Sequence, residues 1–279
     1  AEEAELLGEG DEADDKHPIT QLQQDVAPLA PQLHRARVCA GGWRIHVKRT
    51  CGGTVSHEQG WWHGRTGNDM KSLTEFESKR LLNEFGLVSC KESVAKSFEE
   101  ASSAASEIGY PIVLKISGDG TEHKSELGGV KLGINNEADL SLAYNEMQIN
   151  NSEVSEFLIC EHIAGKREFI AGYHIDRDFG PTLMFGLGGI FAEAFTDVSF
   201  RLLPCPREEL LRMVHELKSN VLLNQFRSEP DVDLEALADI LEAIAECGLA
   251  DPSIQAIDVN PILINGNRPI AVDALVIKL

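Results

Sequence analysis

From Met70 to Leu279 the apolar positions keep two alternating periods, and before Met70 they keep neither. Thr74 and Glu77 have the spacing of a capping box. Behind them Phe76, Leu81, Leu82 and Phe85 follow at helical spacing, and Gly86 closes the run. Ser97 and Glu100 repeat the box and predict a helix to Gly109. "YPIVLKIS" is rich in β-branched residues and predicts a strand, and "GGVKLGI" predicts a second. Residues 137–148 predict a helix. "EFLICEHI" and "REFIAGYHI" predict two adjacent strands, and "PTLMFGLG" a third. "PREELLRMVHEL", opened by Pro206, and "DLEALADILEAIAECG" are amphipathic helices. The end, "IQAIDVNPILINGNRPIAVDALVIKL", reads as strand, turn at Gly266-Asn267, strand. The chain is therefore mixed α/β with much hairpin character, without the regular βαβ alternation of a Rossmann domain and without internal repeats.

Residues 1–69 hold all three tryptophans and five of the nine histidines among glycine, proline and mixed charge. They read as a disordered or loosely attached extension, or as upstream sequence translated from a wrong start. Cys39, His46, Cys51 and His57 offer metal donors there, but their spacing matches no known zinc pattern. The 279 residues suffice for one or two domains with a sizeable core. No apolar run reaches membrane-spanning length, and the acidic start lacks the regions of a signal peptide. The net charge of −20 argues against a nucleic-acid binder. It leaves room for a nucleotide, since a local cluster of lysine, glycine and metal can hold phosphate on an acidic protein. Six scattered cysteines without a CxxC suit a reducing, cytoplasmic setting.

Two places carry candidate chemistry. Lys115 ends a strand before the glycine-bearing loop "SGDGTEHKSELGG". A strand would fix the ammonium, and loop N–H groups could fold over an anion. The loop is no Walker A motif, and "GLGGIF" is no GxGxxG. At the far end, Asp258 and Asn260 alternate with Ile257 and Val259, so both face one side of a strand. The returning strand brings Asp273 back beside them. Two carboxylates and an amide oxygen inside apolar β runs make a hard, oxygen-rich site suited to Mg²⁺.

In this order, "EIGYPIVLKIS", "HKSELGGVKLGI", "GKREFIAGYHIDRDFGPTLMFGLGGIFAEAFTDVSFRLLP" and "DVNPILINGNRPIAVDAL" resemble the ATP-grasp domain of the NDP-forming acyl-CoA synthetases. The likeness is greatest to the β subunit of ADP-forming acetate–CoA ligase and runs from Met70 to Leu279. It implies two subdomains, roughly 70–155 and 156–279, holding ATP or ADP and Mg²⁺ between them. Lys115 matches the lysine on the nucleotide phosphates, and Gly128 and Gly129 belong to the loop over them. Glu161, His162 and Ile163 match the strand whose backbone reads the adenine edge, and Glu168 the glutamate on the ribose. Asn260 and Asp273 match the magnesium ligands. His123 matches a transiently phosphorylated histidine, and Asp258 the acidic residue that steadies it. Arg201 and the glycines Gly186, Gly188 and Gly189 sit where the family arranges phosphate and subunit contacts.

The resemblance also implies what is missing. The full reaction needs a CoA-binding domain and a ligase domain, and neither is visible here. A separate α subunit is the expected partner, in a hetero-oligomer, with no part for nucleic acid or membrane. Relatives tend to carry a proline in the histidine loop where this chain reads "SGDGTEHKSE". Two other readings keep part of the picture: an ATP-grasp ligase that works through an acyl phosphate, and a nucleotide-sensing subunit without turnover. His123 separates the first of these from the leading reading.

Overall fold

The computed structural model describes residues 36–39, 42–45, 70–118, 129–151, 154–189, 197–225 and 227–279. Within the first 69 residues it therefore describes only a two-stranded antiparallel ribbon, β1 (Ala36–Cys39) and β2 (Gly42–Ile45). The pattern there is too short to show a period. The remainder of the expected extension, including its candidate metal donors His46, Cys51 and His57, lies outside the described residues.

From Lys71 the order is β3 (Lys71–Ser72), α1 (Glu75–Glu84), β4 (Glu92–Ala95), α2 (Phe98–Ile108), β5 (Ile112–Ser117), β6 (Val130–Ile134) and α3 (Glu137–Asn150). Then follow β7 (Glu156–Glu161), β8 (Glu168–Asp176), β9 (Gly180–Leu187), β10 (Val198–Leu202), α4 (Arg207–His215) and α5 (Leu234–Ala250). The chain ends with β11 (Ile254–Asn265), β12 (Arg268–Ala271) and β13 (Ala274–Lys278). The Thr74–Glu77 box forms in both directions. At α2 the Ser97 hydroxyl accepts from Glu100 N–H, but the Glu100 carboxylate reaches Lys96 N–H at 2.8 Å. Among the described residues no helix is long and apolar enough to cross a membrane.

From β3 onward the described strands form two antiparallel sheets. The smaller has the order β4-β7-β5-β6. The larger has the order β10-β9-β8-β11-β13-β3, with β12 also paired to β11. "EFLICEHI" and "REFIAGYHI" are therefore strands of different sheets rather than neighbours. Different helices claim their apolar sides. Phe157 and Ile159 of β7 join a core with α2 and α3, whereas Phe169, Ala171 and Tyr173 of β8 join one with α5. The division expected at 155/156 runs just before β7, and by sheet membership β7 lies with the strands that precede it. Helix α1, through Leu82, packs with the larger sheet. Helix α5 continues past Gly248 to Ala250, and glycine stands at 248 for close packing, since a Cβ there would lie 2.6 Å from the Tyr173 ring.

Each sheet has one helix-backed face and one inner face. On β5, Ile112, Leu114 and Ile116 enter the helix-side core, while Val113 and Lys115 face the other way. All six β5 residues are buried, which is why the strand reads as a continuous apolar run. The inner faces meet in a third cluster of Cys90, Val113, Leu158, Cys160 and Ile163 with Leu263, Ile270 and Val272. The chain at 88–90 fastens this junction, since Cys90 N–H donates to Ala271 O and Ala271 N–H to Val88 O.

Candidate functional site

Lys115 stands on the inner face of β5 with only 5 % of its surface exposed. Its ammonium lies 2.6 Å from Glu75 Oε1, 3.4 Å from Asp273 Oδ2 and 3.5 Å from the carbonyl oxygen of Val272. Burial works against its charge, but Asp273 and Glu75 outweigh burial and raise its pKa above the usual lysine value. The lysine is charged at every physiological pH.

A second lysine, which the sequence pattern does not single out, completes the cluster. Lys79 is fully buried, and its ammonium donates to Glu75 Oε1 at 2.9 Å and to Val272 O at 3.0 Å. It also pairs with Glu92 and lies 3.7 Å from Cys90 Sγ. Burial opposes its charge, and the carboxylates of Glu75 and Glu92 help to more than restore it. Glu92 itself is pushed up by burial, against the pull of Lys79. Cys160 S–H reaches Glu92 Oε2 and Cys90 S–H reaches Val272 O, each at 3.8 Å. The closeness of the two thiols lowers the Cys90 pKa and, together with burial, raises that of Cys160. Cys90, Glu92 and Cys160 have the donor atoms of a metal centre, all within 4.8 Å of one another. The Lys79 ammonium already supplies the positive charge at that spot. Glu75 and Lys79 lie four apart on one face of α1, so they read as an ordinary helical ion pair. Only the tertiary fold turns that face toward β5.

The oxygen-bearing residues lie across from Lys115. Asp258 and Asn260 flank the fully buried Val259 and so leave the helix side of the larger sheet. Asn260 N–H donates to Asp273 O at 3.1 Å, which ties the two predicted cation ligands together. The structure thus brings together Lys115, Asp273 and Asn260, with Asp258 two residues from Asn260 on the same strand. Asn260 is exposed and Asp273 partly so, and both present oxygen donors. This donor set fits Mg²⁺.

Glu161, His162 and Ile163 cross from the smaller sheet to the larger. Glu161 N–H donates to Lys91 O and His162 N–H to Pro111 O, so both of these backbone donors are spent within the smaller sheet. Ile163 is buried between the sheets. Glu168 opens β8 opposite Leu263. Gly188 and Gly189 pack on Glu168: a Cβ at Gly188 would lie 3.0 Å from its backbone, and one at Gly189 3.1 Å from its Oε2. Gly186 yields space to Val198, whose Cγ1 would lie 2.6 Å from an added Cβ. These glycines serve close packing around Glu168 and β10. Gly129 accepts the Ile116 N–H at the root of the loop. His123 and Gly128 lie outside the described residues.

Arg201 is placed elsewhere. Along β10, β9, β8 and β11 it aligns with Leu183, Tyr173 and Ile257, all of which enter the helix-backed core. Strand alternation therefore turns Arg201 away from the face that carries Asp258. Its guanidinium is taken by Glu216 at 2.7 Å and Glu209 at 3.1 Å, and Ser199 also bonds Glu216. In this setting Arg201 forms a clamp between β10 and α4.

Comparison with known proteins places this geometry. An ATP-grasp domain family model matches residues 66–277. The β subunit of ADP-forming acetate–CoA ligase I from Pyrococcus furiosus is 39% identical over 213 residues, covering 74% of this chain and 92% of that protein. A structure of dinucleotide-forming acetyl-coenzyme A synthetase 1 from Ca. Korarchaeum cryptofilum, with coenzyme A, Ca-AMPCP and HgCl+, is similar at a TM-score of 0.72 and 37% identity. It covers 75% of this chain and 94% of that one. Another structure of that synthetase holds coenzyme A and Mg-AMPPCP, with its phosphohistidine segment pointing towards the nucleotide binding site. It matches at a TM-score of 0.67 and 37% identity, over 75% of this chain and 93% of that one. The chain belongs to the ATP-grasp domain family and is homologous to the β subunit of ADP-forming acetate–CoA ligase.

Proposed function

We propose that the chain is the nucleotide-binding subunit of an ADP-forming acyl-CoA synthetase, which converts acyl-CoA, ADP and phosphate to carboxylate, CoA and ATP. The observation that carries this reading is Lys115. A buried, charged ammonium stands between two sheets beside Asp273 and Asn260, where the phosphates of a nucleotide would need it. The named activity of the Pyrococcus relative supports it.

In this reading Lys115 binds the phosphates and Glu168 the ribose hydroxyls. Base recognition falls to the Glu161–Ile163 crossing, through groups other than the spent N–H donors of Glu161 and His162. Asn260 and Asp273 would hold a magnesium ion, whose charge would neutralise the phosphate oxygens. His123 accepts the phosphoryl group. In the ATP-consuming direction a ring nitrogen attacks the γ-phosphorus, the N–P bond forms, and the bond to the departing ADP oxygen breaks. The proton on the other ring nitrogen goes to Asp258. ATP synthesis runs the same exchange in reverse. The acyl-CoA chemistry belongs to a separate subunit with CoA-binding and ligase domains.

The test uses the full chain, Mg²⁺ and γ-labelled ATP. We expect a protein-bound label that survives alkali and is lost in acid, and that disappears in His123→Ala while ADP binding is retained. Persistence of the label in His123→Ala, or its absence in the wild-type chain, would overturn the relay.

A further inference from the structure

The lysines of the inner cluster are held crosswise. Lys115 is rooted in the smaller sheet, and its short bond runs to Glu75 on α1, which packs with the larger sheet. Lys79 is rooted on α1 and pairs back to Glu92 of the smaller sheet. Both ammonium groups share one carboxylate oxygen, Glu75 Oε1, at 2.6 and 2.9 Å. Both also address Val272 O.

An ammonium has three N–H donors. Those of Lys115 point to Glu75, Asp273 and Val272 O, so a phosphate contact requires one of them to be released. The three bonds differ. The Glu75 side chain is 2% exposed and is also held, at the same oxygen, by Lys79, whereas the Asp273 side chain is 42% exposed and stands at 3.4 Å. Moving Glu75 would break a bond to each of two buried ammonium groups. Moving Asp273 lengthens one weak, partly solvated contact.

We propose that Glu75, braced by Lys79, is a positioning residue: it keeps the Lys115 ammonium aimed into the inter-sheet space while a nucleotide phosphate takes the place of Asp273 on that ammonium. The proposal rests on Lys115 being a phosphate ligand and adds what holds it there. It also assigns α1 a part in nucleotide binding, although neither Glu75 nor Lys79 needs to touch the nucleotide.

The experiment titrates the full chain with ADP and, separately, with adenosine, by calorimetry without Mg²⁺. The proteins are wild type, Glu75→Gln, Lys115→Met and the double variant, with melting temperatures recorded for each. Lys115→Met should weaken ADP at least tenfold. Glu75→Gln should weaken ADP about tenfold and leave adenosine within twofold. The double variant should bind ADP no more weakly than Lys115→Met alone, because Glu75 acts through that ammonium. If Glu75→Gln does not fold, Glu75→Asp carries the test. It keeps the charge but withdraws the carboxylate by one methylene, and should weaken ADP severalfold with adenosine unchanged. Wild-type ADP binding in the Glu75 variant, with Lys115→Met weakened, would overturn the positioning role and leave the Lys115 reading intact. A Glu75 effect that adds fully to that of Lys115→Met would also overturn it. Wild-type ADP binding by Lys115→Met would instead overturn the reading on which the proposal rests.

Discussion

Lys115 and Arg201 look alike in the sequence, each a lone cation inside a β run, and the fold gives them opposite settings. Lys115 lies on the inner face of the smaller sheet in a cluster that spans both sheets, with Glu75 and Asp273 as counter-ions. Arg201 lies on the helix-backed face of the larger sheet and is clamped to Glu209 and Glu216. The inner cluster holds Lys115, Lys79 and Glu75 almost fully removed from water, with Asp273 at its partly exposed edge. The outer one includes Glu216, whose side chain is half exposed. A cation within a strand is therefore informative about chemistry only once its face is known. The physical difference also separates their energetics, because breaking a buried pair strands a charge, while breaking the Arg201–Glu216 pair leaves a half-exposed carboxylate that water can solvate.

The largest effect should come from Lys79→Met. It leaves Glu75 and Glu92 short of a buried partner and should cost about 3–5 kcal/mol of unfolding free energy in denaturant titrations. The pH dependence has a definite sign. Burial already holds Glu92 above its ordinary value of 4.5, and losing Lys79 raises it further. Above pH 4.5 the folded variant then keeps a proton that the unfolded chain releases, so its stability rises as pH falls. The gap to wild type should be smaller at pH 5 than at pH 8. An equal gap at the two values would mean that Glu92 finds other compensation.

Arg201→Met should cost about 1 kcal/mol and leave ADP affinity within twofold. Its sign is the reverse. Arg201 holds Glu216 below 4.5, so the pair's contribution is complete above that value and is lost as pH falls through it. The gap to wild type should stay level from pH 8 to 5 and close below 4.5. A tenfold loss of ADP affinity would return Arg201 to the nucleotide site. The smallest effect separates the clusters by screening: adding 0.5 M NaCl should shrink the Arg201→Met gap by a few tenths of a kcal/mol and leave the Lys79→Met gap unchanged. Equal salt sensitivity would remove the distinction.

The sequence by itself determined the elements and much of the site. Caps, apolar stripes and turn residues are local, and they placed α1, α2, α4, α5 and the β11–β12 turn close to where they stand. A lysine within an apolar strand and oxygen donors flanking Val259 are also local signals, since burying such groups is costly without partners. Three things were decided only by the tertiary structure. β7 and β8 parted into different sheets because different helices bury their apolar sides. Arg201 took the helix-backed face because strand parity is transmitted across β9 and β8 from the register of β11. Glu75 and Lys79, an unremarkable i,i+4 pair on their own helix, became the bridge between the sheets because α1 packs at the junction. Charge partners 40 residues apart leave no period in the sequence, and only the packing of the chain brings Glu75 to Lys115.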